Sequence, residues 1–441
     1  MQLRAEPHGA LGGTVRVPGD KSISHRSLML AGLAVGESRI SGLLEGEDVL
    51  ATAKAMRLLG CTVERTGKGQ WAVHGRGVGG FAESPDVIDM GNAGTGSRLL
   101  MGILAGHPMT SIITGDSSLR SRPMQRIAEP LGRMGAVFMT RHGARLPLAM
   151  RGSAELLPLE YESPVASAQV KSAILLAGLH ASGRTTVIEP LPSRDHSERM
   201  LRSMGAVIDS EPLADGRLRV SVTGQAELSP QNFMVPGDPS SAAFPLAAAV
   251  LRAEGSVVIE GISINPLRTG FITTLREMGA SITFANEREM AGEPVADLTV
   301  EARDLRGIEV PASRVPSMVD EYPVLSVVAA FASGETVMRG LAELRVKETD
   351  RLAVMAEGLT ACGVKAGIEG DDLIVHGSTT TKEALIDARL DHRIAMSFLL
   401  LGGLGDAPVT VEGAEAIYTS FPGFESVMNG LGAAISRELG Q

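Results

Sequence analysis

The sequence predicts an α/β fold in which one unit is used six times, three copies to each of two domains. Three observations carry that prediction. The first is a repeated pattern, Met/Leu-x-x-Met/Leu-Gly-Ala-x-apolar, at Met56–Val63, Leu131–Phe138, Leu201–Ile208, Leu275–Ile282 and Met428–Ile435, with a worn copy at Leu359–Ala366. Its glycines, Gly60, Gly135, Gly205, Gly279, Gly363 and Gly432, recur at intervals of roughly 70 to 85 residues, the signature of an internal structural repeat. The second is a set of apolar runs at Ser27–Val35, Leu99–Ala105, Ala173–Leu179, Ala242–Leu251, Pro323–Phe331 and Ile394–Leu404. The third is a duplicated opening, Val17-Pro-Gly-Asp20 and Val235-Pro-Gly-Asp238, which announces two halves.

Each element follows from local chemistry. The apolar runs show little polar face, so they read as helices buried on most sides. Strand-like segments such as Ser256–Gly261 and Glu335–Gly340 come next. Each amphipathic stretch then ends at a repeat glycine, where a left-handed C-cap turns the chain into a β-branched strand. The unit therefore reads βαβαββ and spans about 73 residues. Six such units exceed one ordinary core, so three plus three is the natural division. The expected domains are residues 19–236, and 1–18 with 237–441, the strand-like Gly13–Val17 completing the second. Cys61 and Cys362 lie inside the glycine turns, in slots that other copies fill with Ala and Met. They read as small core residues, not nucleophiles.

Composition narrows the function. The 441 residues carry a formal net charge of −10, which argues against a nucleic-acid partner, because that needs an extended basic face. No apolar run reaches the roughly 18 residues of a membrane span. Met1-Gln2-Leu3-Arg4 begins no signal-peptide apolar region. Two Cys and nine His without metal-ligand spacing predict no structural metal. The expectation is a soluble cytoplasmic protein whose basic motifs meet a small anionic ligand.

Those motifs sit directly before the buried helices. They are Lys21-Ser22 with Arg26, Gly91-Asn-Ala-Gly-Thr-Gly-Ser-Arg98, Ser167-Ala-Gln-Val-Lys-Ser172, Gly237-Asp-Pro-Ser-Ser241, Asp320-Glu-Tyr322 and Asp391-His-Arg393. A helix start presents free N–H groups to an anion. A capped core helix with two basic residues would produce the first string equally well, and a P-loop would require Gly-Lys-Ser/Thr in sequence, which Gly19-Asp-Lys-Ser22 lacks. Six motifs in register are harder to attribute to capping. In a pseudo-threefold domain such helix starts converge, which places the expected active site in a cleft between the two domains. A helix end contributes about 0.3–1 kcal/mol toward an anion and a charged hydrogen bond about 1.5–3, so Lys and Arg should dominate affinity. Further basic residues follow in Ser118–Met124 (Arg120, Arg122), Ser193–His196 (Arg194) and Arg345–Arg351. The last string also fits a solvated helix face with paired charges.

Pro-Gly-Asp-Lys-Ser-Ile-Ser-His-Arg (18–26), Gly-Asn-Ala-Gly-Thr (91–95), Ala-Gln-Val-Lys-Ser (168–172), Arg-Val-Lys-Glu-Thr-Asp-Arg (345–351) and Asp-His-Arg (391–393) resemble the signature motifs of the 3-phosphoshikimate 1-carboxyvinyltransferase, or EPSP synthase, family. The resemblance runs in order along essentially the whole chain. It implies the inside-out α/β barrel of the enolpyruvyl transferases, in two threefold domains. It implies transfer of the enolpyruvyl group of phosphoenolpyruvate to the 5-hydroxyl of shikimate 3-phosphate, with no cofactor and no metal.

By that resemblance Lys21, Ser22, Arg26, Ser167, Ala168, Gln169, Arg194, Asp320 and Lys347 contact shikimate 3-phosphate. Lys21, Asn92, Gly94, Arg122, Gln169, Arg351 and Arg393 contact phosphoenolpyruvate. Asp320, Glu348 and Lys21 are the candidates for proton transfer, with His392 assisting. The resemblance further implies a monomer inhibited by glyphosate. Leu99, Ala168, Arg194 and Thr419 stand where many members have Pro, Ser, Tyr and Lys, which marks a divergent branch similar to the glyphosate-tolerant enzymes. Two rivals remain. The related transferase acting on UDP-N-acetylglucosamine carries a Cys in the loop matching Gly115–Met124, where this chain has none. A non-catalytic repeat scaffold explains the glycine turns but not the register of the polar motifs.

Overall fold

The described residues form six four-stranded sheets, each paired with one buried and one outer helix. The computed structural model describes residues 1–290, 292–377 and 380–438. The chain divides into two units: Met1–Asp20, Pro236–Glu289 and Pro294–Gln441 in one, Lys21–Val235 and Met290–Glu293 in the other. The crossings fall within two residues of the Gly19 and Gly237 expected from sequence.

Every sheet has the same pattern. A short edge strand runs parallel to its neighbour, and two antiparallel strands complete the sheet. In one, Ile88–Asp89 runs parallel to Thr110–Thr114, followed by Arg145–Arg151 and Val137–Arg141. Asn232–Met234 supplies the parallel edge of the sheet containing Val35–Ser41. In the other unit Leu11–Val15 pairs parallel with Ala253–Ser263. Gln2–Glu6, a strand that sequence reading missed, lies between Val409–Glu412 and Ala434–Arg437.

The apolar runs form the helices Lys21–Leu33, Gly94–Ala105 and Ala168–Gly178 in one unit, and Pro239–Arg252, Tyr322–Phe331 and His392–Leu404 in the other. Each trio lies in its unit's apolar core. Gly102 shows how closely they pack, since a Cβ there would fall 2.8 Å from the Cα of Ala173 on the neighbouring helix. The outer helices, from Glu47–Leu58 to Phe424–Gly430, each lead into a repeat glycine. All six of those glycines have positive φ, between 84° at Gly363 and 116° at Gly135, a conformation that costs any other residue energy. Both cysteines are buried, and burial pushes their thiols up to about 11 at Cys61 and about 12 at Cys362.

Candidate active site

The sheet and helix packing delivers the polar motifs to the starts of the buried helices. In residues 21–235, Lys21 opens its helix and its Nζ lies 2.5 Å from Oδ2 of Asp48. Asp48 sits on the buried face of its own helix with Val49, Thr52 and Met56. Arg26, one turn beyond Ser22, is buried. Its Nη1 donates to the Ser22 carbonyl at 3.0 Å, its Nε to Ser197 Oγ at 2.7 Å and its Nη2 to Ser172 Oγ at 2.9 Å.

The second motif is a built constellation. Asn92 donates through Nδ2 to Asp116 at 2.7 Å, and its Oδ1 accepts from Arg122 Nη2 at 2.7 Å. Ser118 Oγ also accepts from Arg122, at 3.0 Å. Gly94 is the first helical residue, and a Cβ there would lie 2.9 Å from Arg122 Nη1. The third motif is tied to the second, since Arg98 donates to Gln169 Oε1 at 2.8 Å and Gln169 Nε2 to Thr95 Oγ1 at 2.9 Å. Ser167 caps the next helix through the N–H of Val170, and Ser167, Ala168, Gln169 and Arg194 are all partly exposed.

In the other unit a buried guanidinium organises carboxylates. Arg351, 1% exposed, lies 2.8 Å from Asp391, 2.6 Å from Glu348 and 3.3 Å from Asp320. Burial opposes its charge, but attraction to Asp391, Glu348 and Asp320 outweighs it and holds the pKa above the usual arginine range. Lys347 Nζ is 3.6 Å from the same Asp320 oxygen. Asp391 also caps the helix that begins at His392, and buried Arg393 donates to the Ser240 carbonyl at 2.9 Å with its guanidinium 6.0 Å from the Phe244 ring centre.

Sequence reasoning missed several supporting groups. Arg268 is buried between Asp20 at 3.4 Å and Asp238 at 3.2 Å, while desolvation and the neighbouring Asp20 carboxylate raise the Asp238 pKa. Asp116, which accepts from Asn92, and Ser118, which accepts from Arg122, are among these groups. Asp48 did leave a signal, an acidic residue on an otherwise apolar helix stripe. Asp195, His196 and Glu293 bring three potential metal-ligand atoms within 4.8 Å of one another. Each is held by a neighbouring side chain, His196 Nδ1 lying 2.7 Å from Glu293 and Asp195 2.8 Å from Arg199.

Comparison with known proteins places this geometry. The family model described as EPSP synthase (3-phosphoshikimate 1-carboxyvinyltransferase) matches residues 5–428. The chain is 58% identical to the 3-phosphoshikimate 1-carboxyvinyltransferase of Acidiphilium cryptum, over 98% of this chain and 97% of that one. It is 58% identical to the enzyme of the same name from Rhodospirillum rubrum, over 98% of both chains. EPSP synthase from Acinetobacter baumannii superposes with a TM-score of 0.87 at 43% identity, covering 99% of this chain and 100% of that one. The enolpyruvyl transferase NikO from Streptomyces tendae shares the fold, with a TM-score of 0.79 at 19% identity and coverage of 99% and 98%. With its motifs held in these constellations and its similarity running end to end, the chain belongs to the EPSP synthase family, the 3-phosphoshikimate 1-carboxyvinyltransferases.

Proposed function

We propose that the residues above divide the reaction into binding and proton transfer. The chain transfers the enolpyruvyl group of phosphoenolpyruvate to the 5-hydroxyl of shikimate 3-phosphate, giving 5-enolpyruvylshikimate 3-phosphate and phosphate. In the addition step the hydroxyl oxygen bonds to C2 of phosphoenolpyruvate, the hydroxyl loses its proton, and C3 gains one to become a methyl group. In the elimination step the bond from C2 to the phosphate oxygen breaks, C3 gives up a proton, and the double bond returns.

Ser22, Arg26, Ser167, Ala168, Gln169, Arg194, Asp320 and Lys347 are assigned to shikimate 3-phosphate. Asn92, Gly94, Gln169, Arg122, Arg351 and Arg393 are assigned to phosphoenolpyruvate, and Lys21 to both. Asp320, Glu348 and Lys21 are the candidates for the proton transfers, and His392 assists. The observation that carries this division is Arg351, which draws Asp320 and Glu348 onto one guanidinium and so fixes two carboxylates relative to each other. Carboxylates repel anionic substrates, so their presence among basic motifs is explained by proton chemistry.

The reading extends to a cytoplasmic monomer that glyphosate inhibits in competition with phosphoenolpyruvate. No helix among the described residues is long and apolar enough to cross a membrane. Phosphate release is the test: it should require both substrates, stop with either one alone, and be suppressed by glyphosate in a manner that phosphoenolpyruvate reverses. Release with UDP-N-acetylglucosamine as the acceptor in place of shikimate 3-phosphate would overturn the reading.

A further inference from the structure

Three charged side chains that the reaction scheme does not use lie fully buried in residues 21–235. Lys171, on the helix Ala168–Gly178, is enclosed completely, as is Glu189, and Glu198 is 1% exposed. Lys171 Nζ lies 2.8 Å from Oε2 of Glu189 and 2.8 Å from Oε1 of Glu198. Burial disfavours the ammonium, yet attraction to Glu198 and Glu189 outweighs that cost and holds the Lys171 pKa above its ordinary value.

Stability alone is a poor explanation for such a cluster. Desolvating three charges costs several kcal/mol per ion, and packed apolar side chains of similar volume commonly serve a core as well or better. The cluster's outward bonds are more informative. Glu189 Oε1 accepts from the Ser167 N–H at 3.2 Å and from Ser193 Oγ at 2.6 Å. Lys171 donates to the Ser193 carbonyl at 3.1 Å. Ser167 is the cap of the third motif, and Ser193 immediately precedes Arg194. The residues next to the charged ones hold Arg26: Ser172 follows Lys171, Ser197 precedes Glu198, and Ser197 Oγ donates to Ser172 Oγ at 2.8 Å. Ser167, Arg194 and Arg26 therefore depend on one buried cluster.

We propose that Glu189, braced by Lys171 and Glu198, is a positioning residue for shikimate 3-phosphate, setting Ser167, Arg194 and Arg26 in register with one another. The proposal rests on the assignment of those three residues to that substrate. A carboxylate held by an internal lysine keeps its oxygens in place whether or not substrate is bound, so the site is arranged before binding. A displacement of about 1 Å in such a group is enough to cost on the order of a hundredfold.

The test compares Glu189→Leu, Glu189→Gln, Ser193→Ala and Arg26→Ala in steady-state assays on the full chain, with thermal melts to confirm folding. Glu189→Leu should raise the shikimate 3-phosphate KM at least about thirtyfold while moving the phosphoenolpyruvate KM less than about threefold. Glu189→Gln keeps an acceptor oxygen and should recover most of the loss, to within about fivefold of the parent. Should Glu189→Leu fail to fold, Ser193→Ala removes one bond without stranding a charge, and should raise the shikimate 3-phosphate KM alone by about fivefold. Equal rises in both KM values, or an unchanged shikimate 3-phosphate KM in folded Glu189→Leu or Ser193→Ala, would overturn the positioning role. A shift in Arg26→Ala with silent Glu189 variants overturns that role alone. A silent Arg26→Ala overturns the substrate assignment and the positioning role with it.

Discussion

Two sets of arginines differ in the partners they keep: Arg26, Arg98 and Arg122 in residues 21–235 donate to neutral oxygens, and Arg268 and Arg351 in the other unit lie against carboxylates. Arg26 donates to two serine hydroxyls and a carbonyl, Arg98 to the Gln169 amide oxygen, and Arg122 to Asn92 and Ser118. Arg351 is ringed by Asp320, Glu348 and Asp391, and Arg268 by Asp20 and Asp238. A neutral acceptor orients a guanidinium without cancelling its charge, which suits a group meant to meet a substrate anion. A carboxylate partner spends that charge inside the protein and is itself oriented in return. On the proposed assignments the same side chain has two uses: Arg26 and Arg122 meet substrate, and Arg351, itself assigned to phosphoenolpyruvate, also places Asp320 and Glu348.

That contrast is broken most severely at the carboxylates. Asp320→Ala and Glu348→Gln should each lower kcat by about 10²–10⁴ while changing either KM far less. If either variant turned over at nearly the parent rate, the Arg351 cluster would be structural only. Arg393→Ala should act on the other axis. Loss of about 2–5 kcal/mol of affinity should appear as a large rise in the phosphoenolpyruvate KM, with much of kcat recovered at saturation. A fall in kcat alone would move Arg393 to the chemical side of the comparison.

Gly94→Ala probes the neutral-partner side more gently. Gly94 begins a helix, so alanine fits its backbone, but the new Cβ would lie 2.9 Å from Arg122 Nη1 and 3.3 Å from Arg98 Nη1. Both are ends of flexible side chains, so the guanidinium moves and the helix does not. Glyphosate resembles phosphoenolpyruvate at both charged ends but is longer, so it has less room to follow that shift. A clash of roughly 1–3 kcal/mol predicts an inhibition constant raised at least about tenfold, with a smaller change in the phosphoenolpyruvate KM. Equal shifts in competitive inhibition assays would show that the site does not distinguish the two lengths at Gly94.

The smallest expected effect belongs to the cysteines. Burial raises both thiols, to about 11 and about 12, so at about pH 8 thiolate amounts to roughly one part in a thousand or less. A thiol-specific disulfide reagent should leave the native protein unlabelled and fully active. Rapid loss of activity with labelling would contradict the placing of both cysteines in the core.

The repeat was legible because its signals are local. A glycine directly after an apolar stripe announces a left-handed cap, and the six repeat glycines from Gly60 to Gly432 all adopt it. The polar motifs were legible for the same reason, being short strings beside apolar runs. The partners that orient them lie elsewhere in the chain. Asp48 is 27 residues from Lys21, Asp391 is 40 from Arg351, and Asp20 is 248 from Arg268. Only the fold brings such pairs together, and their separations follow no period. Glu198 resembles Asp48 in being a charge on a buried helix face, a pattern that marks a pairing site without naming the partner.

The division between binding arginines and carboxylates that move protons is tested most directly at C3 of the enolpyruvyl group. That carbon gains a proton on addition and loses one on elimination, so turnover in D₂O places deuterium in the methylene. Parent, Glu348→Gln and Arg393→Ala should be followed by mass spectrometry under saturating substrates, with shikimate 3-phosphate binding measured in parallel. Glu348→Gln should bind that substrate within about threefold of the parent yet incorporate deuterium on the order of a hundredfold more slowly. Arg393→Ala should incorporate it at close to the parent rate once phosphoenolpyruvate is saturating. Parent-like incorporation in Glu348→Gln, or loss of incorporation in saturated Arg393→Ala, would contradict the division.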